Sequence, residues 1–385
     1  MKKLLSVVLS LVLIFSVVNL GGIEAFAEGD IIKDGDYQYR LLENGTYAIV
    51  GYYGKETNLT FPSEFNGKLI TELGDLSCYS LNELVSVTIP DTITTIGAKC
   101  FKSCSALETV SIPSSVTNIK YSAFSDCAKL KNVYIDDISA WCETIFDDET
   151  SNPLHNGGSL FLCGNLLEYI DIPKDVPRIS DFAFFASSIK AVNISSGVTK
   201  IGMCSFAFCK SLTKLTISSS VKTISMASFS GCSALTECSL PYGVTFIDDM
   251  AFDSCSSLKT ITIPASVTHI GYGVLSNCPS LEALIIKGDS DLDFGNIDNS
   301  NLTVYAKSGT PTESYAKANN IPFTSLLIGD TNGDGSVGIS DLTLISIYLS
   351  GKGELTPVQS ACADMNEDST VDAFDMFYID KAIYA

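Results

Sequence analysis

Two stretches near the carboxyl end repeat one spacing of oxygen-bearing side chains. Asp330, Asn332, Asp334, Ser336 and Asp341 occupy positions one, three, five, seven and twelve of a loop. Asp364, Asn366, Asp368, Thr370 and Asp375 repeat the set 34 residues later. Calcium is a hard cation that takes about six to eight oxygen ligands. Such a loop can wrap it with carboxylate and amide oxygens, and the backbone carbonyl of position seven (Ser336, Thr370) completes the set. An apolar helix is expected to leave each loop, over 341–349 and 375–384. Two such loops in tandem point to two bound Ca²⁺ ions rather than to solvated acidic turns.

The loops differ at position six, Gly335 in the first and Ser369 in the second. The turn there favours glycine, so the second site is expected to be weaker by about 1 kcal/mol. A module of this size has a small core, so the ions are expected to contribute to folding itself.

Residues 328–385 resemble a type I dockerin, the module that plugs secreted bacterial proteins into the cohesin domains of a scaffoldin. Loops of that family usually close with Asp, as Asp341 and Asp375 do. The resemblance implies partner contacts from loop positions ten and eleven and from the helix that follows. Here these are Ile339, Ser340, Ser346 and Ile347 in the first half, and Ala373, Phe374, Asp380 and Lys381 in the second. The halves differ chemically, so one binding orientation is expected to dominate over its half-turn alternative.

The elements that must carry this module come earlier in the 385 residues. Lys2 and Lys3, an apolar run over 4–20 and Ala25-Phe26-Ala27 read as a secretion signal over 1–27, with an uncleaved anchor as the alternative. No later stretch is apolar enough to span a bilayer. The expected product is secreted and extracellular, held in a complex or at the cell surface through the dockerin. Of the formal charge of −20, the ten acids and two lysines of 329–385 account for −8; the remaining surplus is spread along the chain, which argues against nucleic-acid binding.

Self-similarity dominates 61–287. Leu107, Val110, Ile112, Val116, Ile119 and Phe124 recur with a period of 23 residues. Val110 and Ile112 alternate with Thr109 and Ser111, the signature of a strand with one face inward. Pro113 ends it, and a second short strand over 116–119 leads to Phe124. A coil with one apolar face must stack on its neighbours, so the pattern predicts a mainly β solenoid of about ten coils at ~4.8 Å. The repeat resembles the BspA-like leucine-rich repeat, whose members are extracellular recognition or adhesion modules without catalytic residues. A hairpin around Asn44-Gly45 (28–60) is expected to close the first coil, and 288–327 to form the closing cap and linker before the dockerin at 328–385.

Between Ile135 and Ile172 the spacing is 37, which reads as one coil plus a 14-residue insertion within 136–162. It holds Trp141, Cys142 and His155, and serves either ligand contact or structure. Seven of the 13 cysteines (78, 104, 127, 209, 232, 255 and 278) share one inward repeat position and are expected to be a ladder of buried thiols. With only His155 and His269 available, and no zinc spacing or phosphate loop, no catalytic residue can be assigned. The reading favoured is a non-catalytic component of a cohesin–dockerin complex whose repeats recognise an unknown protein or glycan. A dockerin-bearing carbohydrate-active enzyme is the alternative, and an inhibitor or spacer a third.

Overall fold

The structure, a computed structural model, describes residues 31–289, 294, 297 and 301–384. The secretion-signal reading over 1–27 lies outside them. A typical coil lays down one strand of three or four residues and one of two, and both stack in parallel on the next coil. Thr109–Ile112 pairs with Asn132–Ile135 so that Val110 faces Val133 and Ile112 faces Ile135. Asn118–Ile119 pairs likewise with Thr95–Ile96. The inward set Leu107, Val110, Ile112, Val116, Ile119 and Phe124 is buried, as its alternation requires. One continuous core runs from Tyr39 to Ala316.

The third side of each coil is built differently. Lys99 and Ser103 sit at φ of 55° and 63°, and Met250 and Ser254 at 55° and 57°. Left-handed residues four apart mark this segment, and every second N–H group along it points to the next coil. Lys99, Phe101 and Ser103 donate to the carbonyls of Tyr121, Ala123 and Ser125 at 2.8–2.9 Å. The inter-coil hydrogen bonds offset a strain of about 1–2 kcal/mol per left-handed residue.

Phenylalanines and cysteines run through the core as two parallel files. Phe184, Phe206, Phe229 and Phe252 stack with centroids 5.0, 5.4 and 5.3 Å apart. Beside them Cys209, Cys232, Cys255 and Cys278 each donate Sγ–H to the carbonyl of the phenylalanine one coil back, at 3.1–3.3 Å. Where the coil is one residue short, Ser187 is buried and its Oγ lies 3.3 Å from Cys209 Sγ. The ladder is therefore a set of hydrogen-bonded thiols, and burial pushes Cys104, Cys127 and Cys209 up to about 12. Because the thiolate is the nucleophile, alkylation of the native chain at pH 8 is expected to label the exposed Cys163 and spare the seven ladder thiols until denaturant is added. Peptide mapping reads the outcome; uniform labelling of the native ladder would contradict it.

The 37-residue spacing resolves otherwise than as a coil with a loop added. Helix α1 (Ile138–Glu143) leads into Ile145–Phe146, which pairs with Asn118–Ile119, and Ser159–Leu162 pairs with Asn132–Ile135. The insertion is thus a larger coil of its own, followed by an antiparallel excursion over Asn165–Leu166 that interrupts the sheet. A period-based reading could not see this, because the replacement strand has no Leu-x-x-Val pattern. Across the break, Trp141 Nε1 donates to the Ala183 carbonyl at 2.9 Å, and Asn152 Nδ2 donates to those of Phe182 and Ala183. Both side chains are buried, so this segment staples the two halves of the solenoid.

At the ends the solenoid has about twelve turns rather than ten. Tyr37–Leu41 and Tyr47–Tyr52 form an antiparallel hairpin around Gly45, and its second strand joins the sheet of short strands. At the other end Thr303–Ala306 and Phe323–Ser325 continue the long-strand sheet in parallel, with helix α2 (Pro311–Ala318) between them. Three helices close the chain: α3 (Ile339–Leu349), α4 (Pro357–Ala363) and α5 (Ala373–Ile383). Their core is Ile345, Ala363 and Ile379, flanked by Val337, Leu342, Met365 and Met376.

Candidate metal centre and docking surface

The first loop is folded by its own carboxylates. Asp330 Oδ1 accepts the N–H groups of Gly333 and Asp334, and its Oδ2 that of Gly335. Asp341 Oδ1 accepts Asn332 N–H at 2.9 Å and its Oδ2 accepts Gly338 N–H at 2.8 Å. The twelfth-position residue therefore closes the loop and caps α3 at once, which is why loop and helix come as a unit. Asn332 Nδ2 donates to Asp334 Oδ2 at 3.0 Å, and Ser336 donates to Asp334 Oδ1, holding that carboxyl below its usual range.

The second loop repeats these bonds. Asp364 accepts from Asp368 and Ser369, and Asp375 accepts from Met365, Asn366 and Asp372. Asn366 Nδ2 again reaches the fifth-position carboxylate, Asp368, at 3.0 Å. Position six is left-handed in both loops, φ 89° at Gly335 and 71° at Ser369. Position four, overlooked in the sequence, is left-handed too: Gly333 at 75° against Glu367 at 57°. The second loop therefore carries two strained residues where the first has two glycines.

Among the described residues, no group of three or more His, Cys, Asp or Glu side chains converges into a ready-made metal cluster. The donor chemistry nevertheless fits a hard cation. Asp330, Asp341, Asp364 and Asp375 are buried. Among the described residues no basic side chain pairs with Asp330, Asp341 or Asp375; Lys287 pairs with Asp364. Burial pushes the Asp364 and Asp375 carboxyls up, opposed at Asp364 by Lys287 and at Asp375 by backbone donors. Buried carboxylates without a counter-charge are costly, and a divalent ion would supply one to each loop.

Above the loops, the eight residues expected to meet a partner are all exposed. Ile339, Ile347 and Phe374 show 66%, 41% and 69% of their surface, large values for apolar side chains. Ser340, Ser346, Ala373, Asp380 and Lys381 are exposed as well. The structure adds Tyr348, Leu349, Phe377 and Tyr378 to the same two helices, all exposed, with Lys381 Nζ 4.5 Å from the Phe377 ring centroid. The sequence held a signal for these: α5 needs only Met376, Ile379 and Ile383 for its core, and its other aromatics are surplus. Elsewhere, Cys142 faces the core with its thiol pushed up by burial, while His155 lines a shallow hollow with Phe185, Phe208 and Lys210. His155 Nδ1 lies 2.9 Å from the Asn152 carbonyl.

Sequence families agree with both halves of this architecture. Six copies of the BspA type leucine rich repeat region match residues 55–152 and 157–282, more than half of the chain, and the protein belongs to that family. The dockerin type I domain matches residues 328–384. No curated protein is significantly similar to the chain. Among solved structures, a leucine-rich repeat protein from Bacteroides ovatus is 22% identical, with a TM-score of 0.48, covering 77% of this chain and 76% of its own. A leucine rich cell surface protein from Faecalibacterium prausnitzii is 22% identical at a TM-score of 0.33, covering 68% and 95%. The pneumococcal vaccine antigen PcpA is 18% identical at 0.40, covering 78% and 99%. All three TM-scores lie below 0.5, so the assignment rests on the sequence families. Both domain types are non-catalytic and typical of extracellular or surface proteins, and a dockerin implies a cohesin partner. Among the described residues no helix is long and apolar enough to cross a membrane.

Proposed function

We propose that this chain is a non-catalytic component of a cellulosome-type assembly, docking to a scaffoldin or surface-anchor cohesin in a calcium-dependent manner. The observation that carries the reading is the exposure of Ile339 and Ile347 on α3 and of Phe374 and Phe377 on α5, the helices that follow two loops pinned by buried carboxylates. Two Ca²⁺ ions would be held by Asp330, Asn332, Asp334, Ser336 and Asp341, and by Asp364, Asn366, Asp368, Thr370 and Asp375. The ions would supply counter-charge to those carboxylates and lock the loops that aim the helices. The loop side chains meanwhile hold their own backbone, and Asp341 and Asp375 fix the first turns of α3 and α5.

The solenoid is read as a recognition or adhesion surface for a protein or glycan outside the cell. Tyr121, Tyr169 and Tyr272 each expose more than half of their surface, which suits interface roles for a ring with a polar tip. An enzymatic reading would need paired carboxylates across a cleft, and neither domain type brings them.

The unlike halves favour one orientation of the bound cohesin. Ile339→Asp with Ile347→Asp, and separately Phe374→Asp with Lys381→Asp, are expected to weaken cohesin binding unequally. One pair should cost at least 100-fold and the other less than 5-fold by calorimetry. Equal losses would contradict a single orientation.

A further inference from the structure

Outward strand positions in several coils carry polar residues such as Thr109 and Ser111, whereas Ala283 and Ile285 are apolar and buried in Ala283–Ile286 although both lie on the outer face. They pack with Leu326, Ala361 and Cys362, against Tyr305, Ile328 and Val358. Ala361 and Cys362 belong to α4, so the helical module covers the last coils, and Leu326 of the connecting segment is buried with it. The residue after this strand is Lys287, where several other coils have proline. Its Nζ donates to the Asp364 carbonyl at 2.8 Å and to Asp364 Oδ2 at 3.1 Å, with the ammonium side chain only 2% exposed.

Further contacts join the same loop to the preceding coils. Tyr242 N–H donates to the Glu367 carbonyl at 2.6 Å, Ala265 N–H donates to Glu367 Oε2 at 3.0 Å, and Ser239 and Ser369 meet Oγ to Oγ at 3.4 Å. Tyr242 and Ala265 follow the prolines that end their strands, which frees their N–H groups to point outward. Glu367 makes these contacts from a left-handed backbone conformation, φ 57°.

We propose that the last coils are an intramolecular seat for the second loop, anchored by Lys287. The seat holds the module in one pose and leaves the outer faces of α3 and α5 open to a partner. Charge complementarity selects the occupant: a buried ammonium and two backbone N–H donors meet an acidic loop carrying Asp364 and Glu367. The contact makes the solenoid and the docking module one rigid unit.

The test is a Ser239→Cys/Ser369→Cys chain under mild oxidation, mapped by mass spectrometry, with and without Lys287→Met. A 239–369 disulfide should form in nearly every molecule, and at least 10-fold more slowly once Lys287 is replaced. Amide exchange on the unsubstituted chain guards against misfolding of the variants, since Tyr242 and Ala265 should be protected at least 100-fold relative to free peptide. The proposal is overturned if both introduced thiols alkylate as fast as exposed Cys163 without crosslinking, if the Lys287→Met background crosslinks at the unsubstituted rate, or if those two amides exchange as free peptide.

Discussion

Chelating calcium from the intact chain is expected to melt α3 and α5 while the solenoid stands. The module's core is small, built around Ile345, Ala363 and Ile379, and beneath it lie the buried carboxylates of Asp330, Asp341, Asp364 and Asp375. An ion held only by the folded state contributes about 4 kcal/mol when its free concentration exceeds Kd a thousand-fold, and two loops add. That is comparable to the whole stability a core of this size supplies. Amide exchange should show protection across 339–349 and 373–383 collapsing in chelator while the Thr109–Ile112 strand keeps its own. Far-UV circular dichroism should lose helical signal in proportion. Unchanged exchange in both helices would mean that the carboxylates are satisfied by the backbone alone.

Phe229→Ala is expected to carry the largest cost of any single change in the solenoid. The ring is fully buried and stacks on Phe206 and Phe252 at 5.4 and 5.3 Å. Its removal leaves a cavity inside a file that cannot collapse, because each coil's spacing is fixed by the strand ladders on either side. The expected loss is about 3–5 kcal/mol, read as a lower urea midpoint for the solenoid transition. Tyr272→Ala, 76% exposed, should change stability by less than about 0.5 kcal/mol. Repeat arrays propagate local damage to their neighbours, so exchange protection should fall first at Phe206 and Phe252. A near-neutral Phe229→Ala would contradict the stacked file as a source of stability.

What could be read in the sequence follows from which forces are periodic. Val110, Ile112, Ile119 and Phe124 are buried by one repeating hydrophobic requirement, so a period of 23 exposed both strands and the phenylalanine file. The cysteine position was legible for the same reason, but not its hydrogen bond, which needs the carbonyl of the previous coil in place. The left-handed residues at Lys99 and Ser103 had no signature, because inter-coil N–H bonds impose that conformation without glycine. The replacement coil at 136–162 was hidden because it satisfies the sheet with backbone pairing rather than repeat residues. In the module, the oxygen spacing and the closing aspartates were visible. Glu367 and Lys287 were not, since their roles arise only where two separately encoded domains meet. Ala283 and Ile285 did carry a trace of that meeting, as apolar residues in outward strand positions.

The most direct measurement of the central claim is calorimetric titration of the full chain with a purified type I cohesin, first in millimolar calcium and then in chelator. Saturable one-to-one binding in calcium, weakened at least 100-fold in chelator and restored by added calcium, is the predicted result. Equal affinity in both buffers would contradict calcium-ordered docking, and absence of binding in calcium to a panel of such cohesins would contradict the docking role itself.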